Sequence, residues 1–297
     1  MHVLITGGTG FVGRHLADRF LGQGHAVTLI GSRAATESSG SCRILQADTT
    51  QPGDWQQAVA EADLIVNLAG RTLFHRWSED YKQQMYASRI RTTQNLVDAL
   101  PGGRRTVLVS TSAVGYYGDG GDALLTESAP GGNDFLARLS VDWESAAQGA
   151  VAKGARVVLA RFGIVLEARG GALAKMLPAF RMFAGGPLGS GRQWFSWIHM
   201  ADLLAAIEFL AGRDDLAGPF NLCAPHPVRN RDLARTLGSV LGRPAVMPVP
   251  ALALRLVMGE MAGVLLAGQQ VEPERLLAAG FQFKYPHLEG ALSDLLS

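Results

Sequence analysis

Short apolar runs alternate with amphipathic stretches through the first half of the chain. HVLIT, AVTLI, RILQA, DLIVNLAG, TVLVS and RVVLA have the length and composition of buried strands. After the first of them Val12, Leu16 and Phe20 recur at helical spacing, so that segment lays one face on its neighbours. Strand and helix in turn are the signature of βαβ units, and they predict a parallel sheet in a doubly wound α/β fold. SEDYKQQMYASRIRTTQNLVDAL reads as a long helix capped by Ser78, and another helix starts near Asn133 with Phe135, Leu139 and Trp143 on one stripe. Beyond Arg161 the texture changes, because the glycine-rich connections ARGGA and AGGPLGSGRQ separate shorter elements. The expected division is residues 1–165 and a smaller region over 166–297, with a segment at about 193–223 returning to the first part. The apolar run ALALRLVMGEMAGVLLAG contains Arg255 and Glu260, and it reads as a core helix rather than a membrane span.

Composition narrows the function classes. The chain has 297 residues, is 47% hydrophobic and 18% charged, and carries a formal net charge of +1. That balance offers no electrostatic footprint for nucleic acid or an anionic membrane. Cys42 and Cys223 are too few and too far apart for a disulfide framework or a zinc site. There is no HExxH, no Gly-x-Ser-x-Gly and no metal-ligand spacing, so no metal is expected and a hydrolase reading has no anchor. MHVLITGG enters a strand at once and leaves no room for a signal peptide, which with the free cysteines points to the cytoplasm.

The strongest motif is TGGTGFVG. Gly7, Gly10 and Gly13, with Thr9 between them, stand directly after a strand and at a helix start. Dinucleotide binding makes three demands there: a tight turn, close approach of backbone to a pyrophosphate, and helix–strand packing without a Cβ. The helix N-terminus then offers free N–H groups to the anion. The end of the second strand selects the cofactor, since a carboxylate there accepts from a ribose 2′-hydroxyl and an arginine accommodates a 2′-phosphate. The chain reads LIGSR, with Ser32 and Arg33 and no acid before Glu37, so NADP (NADPH) is expected; a solvated turn arginine is the alternative reading. Asp48 and Thr49 end the third strand within reach of an adenine, and Leu68, Ala69 and Gly70 line the crevice with backbone.

These features together resemble the extended short-chain dehydrogenase/reductase superfamily, in its sugar-nucleotide-epimerase-like form, along essentially the whole chain. GGPLGSGRQWFSWIHMADL and PERLLAAGFQFKYPHLEGAL narrow the resemblance to an atypical NAD(P)-dependent epimerase-like branch with its own C-terminal region, whose bacterial members are sometimes labelled cell-division inhibitors. The resemblance implies cofactor contacts at Phe11, Val12, Ser32, Arg33 and Arg161. It also implies a substrate-polarising hydroxyl at Ser112, in STSAVGYYG. Relatives of this kind often dimerise through the helices at 78–100 and 133–150, so a homodimer is one option; Phe135 and Trp143 satisfied within one chain is the other.

One departure from that pattern matters for chemistry. The superfamily moves protons with a tyrosine followed four residues later by a lysine. This chain's tyrosines are Tyr81, Tyr86, Tyr116, Tyr117 and Tyr285, and none has a lysine at that spacing. In the natural register Leu136 and Ser140 take the two places, and leucine moves no proton. Tyr116 and Tyr117, on the loop after Ser112, are the substitute proton donors to consider; aromatic packing is the competing reading. For a small polar substrate the candidates are Lys175, Arg192, Trp194, Trp197 and His199, against structural roles for the histidine and both tryptophans. An NADP-dependent oxidoreductase or epimerase-like enzyme is therefore the leading expectation. A non-catalytic NADP-binding regulator or scaffold is the rival.

Overall fold

The computed structural model describes residues 1–32 and 41–297. The first half follows the expected alternation: β1 (His2–Thr6), α1 (Phe11–Gly22), β2 (Ala26–Gly31), β3 (Cys42–Gln46), α2 (Gln56–Glu61), β4 (Leu64–Asn67), α3 (Glu79–Asp98) and β5 (Val107–Ala113). Ser78 accepts a hydrogen bond from the Tyr81 amide and caps α3. A short β6 (Leu124–Leu125) precedes α4 (Phe135–Gln148), which Asp134 caps through the Ala137 amide. Next come β7 (Arg156–Phe162), β8 (Ile164–Glu167) and α5 (Gly171–Arg181), and then β9 (Trp194–Phe195), β10 (Trp197–His199), α6 (Met200–Ala211) and β11 (Gly218–Leu222).

Seven strands form one sheet in the order β11-β7-β5-β4-β1-β2-β3, and every pairing is parallel. The order reverses between β1 and β4, so a crevice opens there at the carboxyl ends of the strands. Both faces are buried, as a parallel sheet with crossover helices requires. Val3 and Ile5 of β1 pack with Leu16 and Phe20 of α1 and with Leu203 and Ile207 of α6. Leu4, between them in sequence, points the other way into a cluster with Val59 of α2 and Leu96 of α3. Each such aliphatic side chain stabilises the fold by roughly 1.5–3 kcal/mol.

The seventh strand of the sheet, GPFNL, follows the polar turn GRDDLA and opens on Gly-Pro, a dipeptide that itself reads as a turn, so its sequence shows no strand pattern. Its register with β7, from Gly218 opposite Val158 to Leu222 opposite Phe162, nevertheless buries Phe220 completely.

The remaining chain builds a smaller layer at the open end of the crevice. β12 (Val228–Arg229) pairs with β9 and leads into α7 (Asn230–Leu241). Leu173 and Leu177 of α5, Leu233 and Leu237 of α7, and Trp197 share a core with Leu288 and Leu292 from the C-terminal stretch.

Here the expected core helix is overturned. ALALRLVMGEMAGVLLAG forms α8 (Ala251–Met258) and α9 (Ala262–Leu266), separated by a turn at Gly259, where φ is +62°. α8 buries none of its residues: Leu252, Leu256 and Val257 are 68%, 71% and 75% exposed. Apolar composition alone did not distinguish a surface helix from a core one. No helix among the described residues is long and apolar enough to cross a membrane. β13 (Gln270–Val271) pairs with β6, and α10 (Glu274–Ala278) and α11 (Leu288–Leu296) complete the chain's elements.

Candidate active site

The glycine turn sits at the crossover point of the sheet. Gly7 has φ of +65°, which only glycine adopts without strain, and a Cβ there would stand 2.8 Å from the Leu68 carbonyl oxygen. A Cβ on Gly13 would stand 2.5 Å from the Gly7 carbonyl oxygen and 2.7 Å from the Gly8 Cα. The Gly10 amide donates to the Gly7 carbonyl at 2.8 Å, closing the turn. α1 then starts with no side-chain cap and no acidic residue in its first turn, so its leading N–H groups face the crevice free of a competing carboxylate. Thr9 lies across from Gly31, whose missing side chain lets β2 approach the turn.

The other cofactor candidates divide. Phe11 packs its ring against Gly170 and Gly171, so the glycines of ARGGA make room for it. Val12 packs partly buried against the sheet core. Ser32 follows the end of β2, and Arg33 lies outside the described residues. The Asp48 carboxylate accepts from the amide and hydroxyl of Thr50, and the Thr49 hydroxyl is paired with Thr92 at 2.8 Å. Leu68, Ala69 and Gly70 leave β4 beside the glycine turn, with the Leu68 amide donating to the Thr6 carbonyl.

A buried polar network, invisible in the sequence because its members are scattered, fixes this corner. Thr6 donates to Asn67 Oδ1 at 2.7 Å, while Asn67 Nδ2 and Trp143 Nε1 both donate to Thr93 Oγ1, at 2.8 and 2.9 Å. It ties β1, β4, α3 and α4 together at the crossover point.

Ser112 is at the end of β5, is 1% exposed, and its hydroxyl has no hydrogen-bond partner among the described residues. A buried hydroxyl left unpaired costs about 1–3 kcal/mol, so this atom is one that a ligand oxygen would satisfy. Leu136 faces the loop that follows: its Cβ is 3.7 Å from where a side chain on Gly115 would begin. Ser140 and Glu144 continue the same helical face.

That face leads to the principal correction. Arg161, expected on the cofactor, is 3% exposed and turned into the protein. Nε and Nη2 donate to the two carboxylate oxygens of Glu144, each at 2.8 Å, and Nη1 donates to Tyr117 Oη at 2.9 Å. Burial alone would lower the guanidinium pKa, but the forked Glu144 carboxylate holds it above the ordinary value.

Tyr117 is corrected with it. Its hydroxyl donates to Asn221 Oδ1 at 2.7 Å, and burial, against the pull of Arg161, pushes its pKa up to about 12. Tyr116 lays its ring over Arg161, with Cζ 3.5 Å from the ring centroid. Both tyrosines therefore serve this network, and neither is bonded to Ser112. Glu127 completes it: the carboxylate accepts from the Asn221 and Arg275 amides, and burial raises its pKa.

The substrate candidates fall in three places. Arg192 and Trp194 line a cleft of about 500 Å³ with Arg229, Arg231 and Asp122. Trp194 lies under the Arg229 guanidinium at 3.8 Å and donates to Asp122 at 3.1 Å; hydrogen bonding from Arg229, then from Trp194, lowers the pKa of that carboxyl. Lys175 is exposed on α5, with Nζ 5.3 Å from the Phe74 ring centroid. Trp197 is wholly buried and His199 is 4% exposed, so these two are structural. His199 caps α6, its Nδ1 accepting from the Ala201 amide at 3.0 Å, with Nε2 3.3 Å from Asp294 and the ring 4.0 Å from that of Tyr285.

Burial holds the His199 pKa below the ordinary histidine value, against the opposing pull of Asp294 and Asp202. The unfolded chain therefore takes the proton first, and stability is full above about pH 6.5 and falls as pH drops below it. The unfolding midpoint of the wild type is expected to drop as pH falls below roughly 6.5. In His199→Asn, which keeps a capping oxygen, that drop should shrink; an identical drop in both proteins would refute the assignment.

Comparison with known proteins agrees with this geometry. Residues 3–223 match the model of the NAD dependent epimerase/dehydratase family, and residues 249–295 match a domain of unknown function, DUF1731. The chain is 42% identical over 307 residues to the chloroplastic SDR39U1 homolog of Arabidopsis thaliana, an epimerase family protein, covering 100% of this chain and 87% of that one. It is 41% identical to an epimerase family protein of Staphylococcus epidermidis, with 99% and 98% of the two chains covered. A crystal structure of human SDR39U1 (isoform 2) with NADPH superposes with a TM-score of 0.86 at 34% identity, covering 99% of each chain. MoeE5 in complex with UDP-glucuronic acid and NAD shares the fold, with a TM-score of 0.79 at 18% identity. A glycine turn where the strand order reverses, a parallel sheet of that order and these relatives lead to one conclusion: the chain belongs to the NAD dependent epimerase/dehydratase family.

Proposed function

We propose that the protein binds NADP and acts as a reductase- or epimerase-like enzyme on a small polar substrate. The observation that carries this reading is the glycine cradle at the sheet crossover, with an unpartnered Ser112 hydroxyl at the end of β5. A bound dinucleotide supplies or accepts hydride at its nicotinamide. The chain's own part is to hold the pyrophosphate on the α1 amides and to polarise a substrate oxygen with Ser112. The human relative crystallised with NADPH supports the phosphorylated cofactor, as do Arg33 and the absence of an acid where β2 ends. Arg192, in the cleft with Arg229 and Arg231, suits a carboxylate or phosphate on the substrate.

A binding-only role is the second reading, and one observation favours it. Leu136 and Ser140 replace the usual proton relay, while the Tyr117 hydroxyl is occupied by Arg161 and Asn221. Screening carbonyl substrates for NADPH oxidation separates the two, since turnover that Ser112→Ala reduces about 10²–10⁴-fold requires the enzyme. Tight NADPH binding with no turnover across the screen favours the regulator.

Cofactor choice is tested by fluorescence titration with NADPH and NADH. A charge-assisted contact from Arg33 contributes about 1.5–3 kcal/mol, hence roughly ten- to a hundredfold in affinity. NADPH is expected to bind tighter by that factor, and Arg33→Ala to remove most of the difference. Equal affinities in the wild type would overturn the assignment.

A further inference from the structure

Charge is not spread evenly along this chain. It holds 27 basic and 26 acidic residues, yet residues 168–201 contain four basic residues and no acidic one, and residues 233–259 contain three and none. The near-neutral total therefore conceals a local excess. The same two stretches carry the five most exposed large apolar side chains among the described residues: Val246, Val257, Leu256, Met182 and Leu252, at 68–76%.

The two stretches lie side by side. The Met247 amide donates to the Gly185 carbonyl at 3.3 Å, and the Val249 amide to the Pro187 carbonyl at 2.9 Å. The Arg243 guanidinium stands 4.5 Å from the ring centroid of Phe183, the residue after Met182. α8 then starts where Ala251 approaches Gly189 and ends where Gly259 meets the Arg76 side chain. Along α8, Leu252, Arg255 and Leu256 are spaced three and four residues apart and form one stripe. Arg181, Arg243 and Arg255 are exposed, and none has a carboxylate in ion-pair reach among the described residues. Glu260, the acid that borders the face, is taken by Lys82 at 2.6 Å.

We propose that this face, from the end of α5 through residues 243–249 to α8, docks on the surface of an anionic bilayer. α8 lies in the plane of the interface, with its leucines and valine in the acyl boundary. Arg181, Arg243 and Arg255 meet lipid phosphates, their aliphatic stems running along apolar surface and their guanidinium groups reaching the headgroups. A second copy of the chain suits the face less well. A two-fold pairing would set these arginines against their own copies with no acid between them. Nucleic acid matches the charge but not the exposed leucine and valine side chains, which offer no ring for a base to stack on. Docking of this face does not depend on what the crevice binds.

The test is co-sedimentation with vesicles of phosphatidylcholine alone and of phosphatidylcholine mixed with an equal part of phosphatidylglycerol. The wild type is expected to bind the mixed vesicles, to leave the neutral ones, and to bind more weakly as salt is raised. Arg181→Gln with Arg243→Gln should weaken binding about fivefold for each charge removed. Leu256→Ser with Val257→Ser should weaken it by about tenfold or more. All four side chains are exposed, so the unfolding midpoints should stay at the wild-type value; Leu252→Ser carries the same comparison should the apolar pair fold poorly. Val151→Ser is the control, because Val151 is exposed ahead of β7 and should not touch the bilayer. No binding to the mixed vesicles, or equal binding to both kinds, overturns the proposal. So does a loss from the arginine pair with none from the apolar pair, which is surface adsorption alone. A dimer in solution that Leu256→Ser with Val257→Ser breaks would assign the face to a second copy and overturn it as well.

Discussion

Glu144→Leu is expected to destabilise the protein by about 3–5 kcal/mol, because it leaves the Arg161 guanidinium charged, buried and without a counter-ion. The pair is closed from solvent on both sides, at 7% and 3% exposure, so water cannot take the place of the carboxylate. The damage should extend to the Tyr117 hydroxyl, which accepts from the same guanidinium, and through Tyr117 to Asn221. Pairing the change with Arg161→Met should restore a large share of the loss, since two apolar groups of similar volume replace a matched ion pair at little cost. Chemical denaturation of the two single variants and the double variant gives the coupling directly. Additive losses in the double variant would show that the pair contributes nothing beyond its parts.

Gly13→Ala carries the second large effect, on binding rather than on folding alone. The added methyl would meet the Gly7 carbonyl at 2.5 Å and the Gly8 Cα at 2.7 Å, and both contacts are with backbone that cannot swing aside. Either α1 moves off the sheet or the turn opens, and each shifts the α1 amides proposed to hold the pyrophosphate. Overpacking of this kind costs about 1–3 kcal/mol in stability. The displaced amides should cost roughly a hundredfold in NADPH affinity, equivalent to about 2.7 kcal/mol. Gly22→Ala is the control, because a Cβ there meets nothing within 4 Å and the residue ends α1 far from the turn. Equal NADPH affinity in the two variants would refute the cradle.

Local pattern carried much of this molecule. TGGTGFVG announced its turn because close backbone approach leaves glycine as the only choice, and the first strands and α3 followed from apolar periodicity and the Ser78 cap. What stayed hidden depended on partners remote in sequence. Arg161 ends a buried strand, a place that suits a ligand contact and an internal ion pair equally; only Glu144, on another element, decides between them. His199 and Trp197 sit in a motif dense with ligand-like side chains, yet tertiary packing turned both inward. The surface helix α8 is as apolar as a core segment, so composition could not place it.

β11 returns to the sheet only after α5, β9, β10 and α6 have been threaded, and this constrains how such a chain can be recombined. An exchange between relatives with one crossover near residue 165 would pair a host β7 with a foreign β11. It would set a foreign Phe220 into packing built for another sequence. Swapping the smaller layer while keeping the sheet native needs separate junctions on either side of the stretch from α6 to β11. The smaller layer can diversify by genetic exchange only in pieces, around a strand that must stay with its sheet.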